Sequence, residues 1–235
     1  MKTRLPLCSL ALALVATVVS AQNPAADADG FIPLFNGKDL AGWSPAKENP
    51  DSFSVKDGIL VVKGGRSHLF YTGAVGDHNF TNFELKLKIM TTPNSNSGVY
   101  FHTQPQDTGW PDLGYECQVN STHKDPKKSG SLYCIMNIWA GDPPPAGKPL
   151  AGENKYVQAA PSKDGEWFDY NIKVQGKKIT IQVNGETTVA YTEPEGGPQA
   201  AGFKGRKLSS GTFALQAHDP ASETHYKDIK VKPLP

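Results

Sequence analysis

The chain has 235 residues, enough for one large all-β domain or two small ones, and its 24 basic side chains balance 23 acidic ones. That balance excludes a basic stripe for nucleic acid and a polybasic patch for a membrane surface. A neutral small molecule or glycan is the expected partner.

Lys2 and Arg4 precede an apolar run that ends at the small residue Ala21. This is the pattern of a secretory signal peptide over residues 1–21. The run is short for a transmembrane anchor, and no stop-transfer charge cluster follows it. The expected location is therefore secreted or periplasmic, with no membrane span. Loss of Lys2 and Arg4 leaves 22 basic against 23 acidic residues, a mature net charge of about −1. Cys117 and Cys134 then remain; export permits a disulfide between them, and two unpaired core thiols are the equal alternative. Their spacing, without a second cysteine pair, is a poor zinc signal.

Residues 22–30 (Q-N-P-A-A-D-A-D-G) have the composition of a flexible tether. From Phe31 to the end the chain reads as one β domain. F-S-V-K-D-G-I-L-V-V is two strands around an Asp-Gly turn. N-F-E-L-K-L-K-I-M alternates strictly, with Phe83, Leu85, Leu87 and Ile89 on one face and Glu84, Lys86 and Lys88 on the other. S-G-V-Y-F-H, G-Y-E-C-Q-V-N and S-L-Y-C-I-M-N-I continue the period of two. The stretch from Tyr170 to Tyr191 reads as three strands divided by Gln-Gly-Lys-Lys and Asn-Gly turns, and T-F-A-L-Q-A-H and Y-K-D-I-K-V close the chain. No window has helical periodicity. Short strands with regular turn signals predict a β-sandwich or jelly roll. Three long loops, 103–113, 140–155 and 193–207, interrupt the pattern; loops this long in a compact domain are usually functional or disordered, and a surface excursion with no role is the equal alternative for the Pro-rich one.

A sandwich strand offers one face to the core and one to solvent. Most outer faces here carry Lys, Thr and Glu. Three strands differ. One presents Glu116, Gln118 and Asn120, a second Gln216 and His218, a third Tyr100 and His102. Tyr133 shares its face with Ser131. These side chains are short and rich in directed hydrogen bonds. On neighbouring strands of a concave sheet they would line a groove suited to sugar hydroxyls. Trp110, Trp139 and Trp167, on or near loops, are candidates for stacking on a sugar ring, with core or rim packing as the commoner role. An ordinary glycosidase needs two carboxyl groups. Positions i and i+2 on one strand face are about 6.8 Å apart, so Glu-x-Glu would serve. Glu-x-Gln-x-Asn offers one acid, with Asp219 or a loop Asp as the easy second source. One base with several hydrogen-bonding groups fits better.

Several stretches together resemble the 3-keto-disaccharide hydrolase domain family of the concanavalin A-like lectin/glucanase superfamily. They are L-F-N-G-K-D-L-A-G-W (34–43), N-F-E-L-K-L-K-I (82–89), N-S-N-S-G-V-Y-F-H (94–102), G-Y-E-C-Q-V (114–119), G-E-W-F-D-Y-N-I-K-V (165–174), V-N-G (183–185), G-T-F-A-L-Q-A-H-D (211–219) and H-Y-K-D-I-K-V-K-P-L (225–234). The chain departs from the family's pattern at Tyr226-Lys227-Asp228-Ile229, where F-R-N-I is frequent, and at Cys117, where an apolar residue is commoner.

The resemblance implies a concanavalin A-like jelly roll with the ligand on its concave sheet, and cleavage of glycosides oxidised to a ketone at sugar carbon 3. That ketone acidifies the carbon 2 proton. Its removal gives an enolate that expels the aglycone from carbon 1, and water can then add back. The chemistry needs a general base and something to stabilise the enolate oxygen, not a carboxylate pair. On this reading Glu116 or His218 is the base. Asn96, Gln118, Tyr133 and Gln216, with Tyr100 and His102, bind hydroxyls or the enolate oxygen. Lys204 or a divalent metal polarises the ketone, with Glu116, His218 and His102 as the candidate metal ligands; no short His/Asp spacing supports a metal. A sugar oxidoreductase upstream would make the substrate. The alternative is a non-catalytic, lectin-like module with the same groove. A conventional glucanase ranks last, because Glu-x-Asp-x-x-Glu is missing from 116–121.

Overall fold

In the computed structural model, residues 24–140, 155–157, 159–198 and 204–235 are described. The signal-peptide expectation over 1–21 lies outside them, as do most of loop 140–155 and part of loop 193–207. No helix among the described residues is long and apolar enough to cross a membrane.

Fifteen strands carry the described chain: β1 (Ile32–Pro33), β2 (Trp43–Pro45), β3 (Phe53–Lys56), β4 (Ile59–Lys63), β5 (Ser67–Tyr71), β6 (Phe83–Thr91), β7 (Asn96–Thr103), β8 (Tyr115–Asn120), β9 (Ile138–Ala140), β10 (Lys155–Val157), β11 (Phe168–Gln175), β12 (Lys178–Val183), β13 (Glu186–Thr192), β14 (Thr212–Ala217) and β15 (Glu223–Pro233). Two antiparallel sheets form the sandwich. The larger runs β13-β12-β11-β6-β15-β4-β3, with β1 paired to β15; the smaller runs β2-β5-β14-β7-β8. A short parallel pair, β9 with β10, stands apart.

The alternation in the sequence becomes the core. Phe83, Leu85, Leu87 and Ile89 of β6 are buried while the residues between them are half-buried. They meet Val99 and Phe101 of β7, Cys117 and Val119 of β8, and Phe213 and Leu215 of β14 in one cluster. Two tyrosines bridge the sheets: Tyr170 donates from its hydroxyl to the Gln118 carbonyl at 2.9 Å, and the Tyr226 hydroxyl meets Ser97 Oγ at 2.6 Å. Of the three expected hairpin turns, two place successive residues in the left-handed region, Asp57 and Gly58 in one and Asn184 and Gly185 in the other. The N-terminal stretch is anchored from Asp27 onward, where Asp27 Oδ2 accepts from Lys230 Nζ at 2.8 Å. Cys117 and Cys134 are buried free thiols.

Two expectations are corrected. The stretch S-L-Y-C-I-M-N-I is not a strand. Its turns return the chain on itself, with Leu132 bridging both Cys117 and Met136 and Cys134 at φ 64°. Short apolar runs satisfy turns and strands alike when they are buried. The second correction is His102. Its φ of 56° lies in a bulge of β7, where the pairing with β14 shifts between Thr212 and Ala214. An extra residue there breaks the period of two and rotates His102 off the face that carries Tyr100.

The smaller sheet positions the site. Every residue of β7, β8 and β14 is buried. One face meets the core; the other, polar one is roofed by loops. A solvated sheet face would leave alternate residues exposed.

Candidate active site

Glu116 and Tyr100 are directly cross-strand between β8 and β7, as are Gln118 and Gly98. On the next strands Ala214 lies opposite Tyr100, and Gln216 lies opposite His68 of β5. A cross-strand register of this kind puts Glu116, Gln118, Tyr100, Gln216 and His68 on one face. Gly98 lacks a side chain where one would collide, since a Cβ there would stand 2.8 Å from Glu116 Oε1. The result is a hollow of about 900 Å³ lined by Asn96, Tyr100, Glu116, Gln118, Tyr133, Lys204, Arg206, Gln216 and His218, with Trp110 on its rim. Eight of the nine expected site residues therefore converge, and His102 does not. His102 packs edge-on against Phe83 and Phe101, pairs its Nε2 with the Thr81 carbonyl at 2.9 Å, and accepts at Nδ1 from Ser209 N–H at 3.2 Å. Burial holds its pKa down at about 4, which keeps it neutral.

Glu116 is held firmly. Oε2 accepts from Arg206 at 3.1 Å and Oε1 from Gln216 Nε2 at 2.9 Å. Both members of the ion pair are buried, with side chains 7% and 6% exposed. The Arg206 guanidinium also stands over the Tyr133 ring at 5.6 Å. Tyr100 receives Gln216 Nε2 at its hydroxyl, 3.1 Å away, and burial first and the Glu116 charge second raise its pKa.

His218 lies at the end of β14, where the chain leaves the small sheet. Its Nδ1 meets Asp219 Oδ2 at 2.8 Å. Burial opposes ionisation of Asp219, but hydrogen bonds from His218, Ser222 and Ala221 outweigh it and lower the pKa. An ionised carboxylate only accepts, so Nδ1 carries the proton and Nε2 is left as the basic nitrogen. The Trp110 and His123 rings stand 5.3 and 5.5 Å from the His218 ring. Beneath Trp110, edge-on at 5.7 Å, lies His68, which burial depresses from 6.5 to about 3. Trp110 is 41% exposed and is the tryptophan that serves the hollow. Trp139 and Trp167 instead face Lys127 and Lys227.

His123 enters on the loop after β8. Lys128 fastens that loop, donating to the His123 carbonyl at 2.7 Å and the Asp125 carbonyl at 3.0 Å. His123, His218 and Asp219 offer donor atoms within 4.8 Å of one another. In the structure their polar atoms are turned to protein groups. Asp219 Oδ2 is taken by His218 and Ser222, and Oδ1 by Ala221 N–H. His123 Nδ1 accepts Asp125 N–H at 3.1 Å, so its proton sits on Nε2.

Arg206, His68 and His123 were not among the expected residues. Arg206 sits in a loop whose register no periodicity reveals, although G-F-K-G-R-K marked it as basic. His68 lies on β5, S-H-L-F-Y, where one polar ring among apolar neighbours carries no signal of a site.

A family model described as the 3-keto-alpha-glucoside-1,2-lyase-like domain matches residues 30–232. The chain belongs to this family. A curated relative, a 3-keto-disaccharide hydrolase of Bacteroides thetaiotaomicron, is 29% identical over 190 residues, 70% of this chain. The aligned part covers 59% of that relative's length. A Parabacteroides distasonis protein described as a candidate glycosyl hydrolase superposes with TM-score 0.62 at 21% identity, covering 91% of this chain and all of that one. The carbohydrate-binding module CBM66 of Bacillus subtilis gives 0.50 at 10% identity, covering 81% of this chain and 95% of that one. These structural likenesses show the lyase-like family's sandwich fold in proteins of distant sequence.

Proposed function

We propose that the protein is an exported enzyme that cleaves glycosides carrying a ketone at sugar carbon 3, by removal of the carbon 2 proton. One observation carries the reading: an Asp219-oriented imidazole and a buried Arg206–Glu116 pair share one polar hollow. The hollow thus holds a base and a fixed cation, the two elements enolate chemistry needs.

His218 Nε2 takes the carbon 2 proton, and the C–H electrons move into an enolate whose charge rests on the carbon 3 oxygen. Arg206, immobilised by Glu116, lies in the same wall to meet that charge. When the enolate collapses, the ketone re-forms, a C1–C2 double bond forms and the C1–O bond breaks. The imidazolium proton leaves with the aglycone oxygen. Addition of water across the double bond completes a net hydrolysis. Glu116 has both oxygens engaged, so it acts by holding Arg206 and Gln216 rather than as the base. Trp110 offers a ring face to the pyranose. The family match and the relative's activity support the same substrate class. The apolar run at residues 1–21 supports export. An oxidoreductase acting on the sugar is the reaction that must supply the ketone.

The test compares a chromogenic 3-keto-glucoside with its unoxidised parent, with and without chelator. Release from the keto compound alone, undiminished by chelator, is the expected result. Equal release from both compounds, or binding without release, refutes the proposal.

A further inference from the structure

Among the described residues, two buried amide oxygens in the hollow, Gln118 Oε1 and Gln216 Oε1, find no hydrogen-bond partner. Orphaned buried acceptors are costly, and a native structure keeps them for a reason. Their direction is fixed by the groups behind them. The Gln216 amide must turn its NH₂ toward Glu116, because a carboxylate bound to Arg206 accepts only, and Nε2 indeed reaches both Glu116 Oε1 and the Tyr100 hydroxyl. Gln118 is fixed by a longer relay. The backbone N–H of Asp125 donates to His123 Nδ1 at 3.1 Å, so that nitrogen is an acceptor. Asn96 Nδ2 therefore donates to it at 3.3 Å, and Asn96 Oδ1 faces the other way and accepts from Gln118 Nε2 at 3.0 Å. The Gln118 oxygen is what remains.

We propose that His123 is a positioning residue that sets the polarity of the sugar subsite, turning Gln118 so that its oxygen, with that of Gln216, accepts two ligand hydroxyls. This rests on the glycoside reading above and sharpens it. The two glutamines recognise O–H donors, and the enolate oxygen, itself an acceptor, falls to Arg206. The ligand in this subsite is an unsubstituted polyol, and a deoxy or O-methylated position facing either oxygen leaves that oxygen unpaired.

The probe is methyl glucoside with its four monodeoxy derivatives, titrated calorimetrically into the full chain. A buried acceptor left without its donor lowers affinity about tenfold. We expect two of the four derivatives to show that loss. In His123→Leu, Asn96 and Gln118 are free to rotate, and the loss tied to Gln118 disappears. In His123→Asn, whose amide oxygen replaces Nδ1 as acceptor, it returns. Gln118→Met reports on the same oxygen should His123→Leu not fold. A failure of methyl glucoside to bind, a flat deoxy profile in the wild type, or an unchanged profile in both His123→Leu and Gln118→Met overturns the proposal. The readout is separate from turnover. Cleavage of a 3-keto-glucoside with a flat deoxy profile sinks only this inference, and the expected profile without cleavage sinks only the catalytic reading.

Discussion

Glu116 and His218 were interchangeable as bases in the sequence, and their surroundings separate them. Removing His218 leaves Asp219 half-exposed and still bonded to Ser222 and Ala221. His218→Ala is therefore expected to slow cleavage of a 3-keto-glucoside by about 10²–10⁴-fold while the unfolding midpoint in urea stays put. Glu116→Ala is a different experiment. It takes the paired carboxylate away from a buried guanidinium, and breaking a buried pair costs about 3–5 kcal/mol. Denaturant titration of Glu116→Ala should show that loss along with lost activity, and Glu116→Gln should lose less stability because its amide oxygen still accepts. Equal stability losses in His218→Ala and Glu116→Ala would overturn the division of roles.

At the scale of elements, the strands were legible and the loops were not. Alternation fixed which residues of β6, β8 and β14 look inward, because one face of each is covered by the core and a slip would invert every side chain. His102 escaped because a bulge adds one residue, a feature with no composition of its own at that point. Tyr133 reached the hollow although its strand does not exist; its N–H bonds the Glu116 carbonyl at 2.9 Å, so the turn runs along β8 as a strand would. Arg206 depends on Gly205, the point where loop 204–211 touches loop 103–113. A Cβ on Gly205 would lie 1.8 Å from the Asp112 carbonyl oxygen. Gly205→Ala should push that loop outward and carry Lys204 and Arg206 with it. Turnover is expected to fall at least tenfold with little change in melting temperature, since the core below is untouched. An unimpaired variant would show that the loop position is irrelevant to catalysis.

For the molecule as a whole, two buried histidines set a pH limit. His68 and His102 titrate near 3 and 4 when folded, against an ordinary value of 6.5. Their folded values are depressed, so the unfolded chain binds their protons first. Stability from these sites is complete above about pH 6.5 and declines as pH falls toward 4. In that window two extra protons in the unfolded state give a slope of up to about 2.7 kcal/mol per pH unit. Urea midpoints measured from pH 7 to 4.5 should fall accordingly, and the fall should be shallower in His102→Gln. A flat profile would contradict their burial.

The order of the strands ties the hollow to both layers of the sandwich. His218 and Asp219 occupy the corner between β14, in the middle of the small sheet, and β15, which inserts between β6 and β4 of the large one. One short stretch, 218–233, thus supplies the proposed base, the carboxylate bonded to it and an interior strand of the opposite layer. A chain cut before Glu223 is expected to lack β15 and with it the closed large sheet, so the corner that holds His218 and Asp219 loses its support.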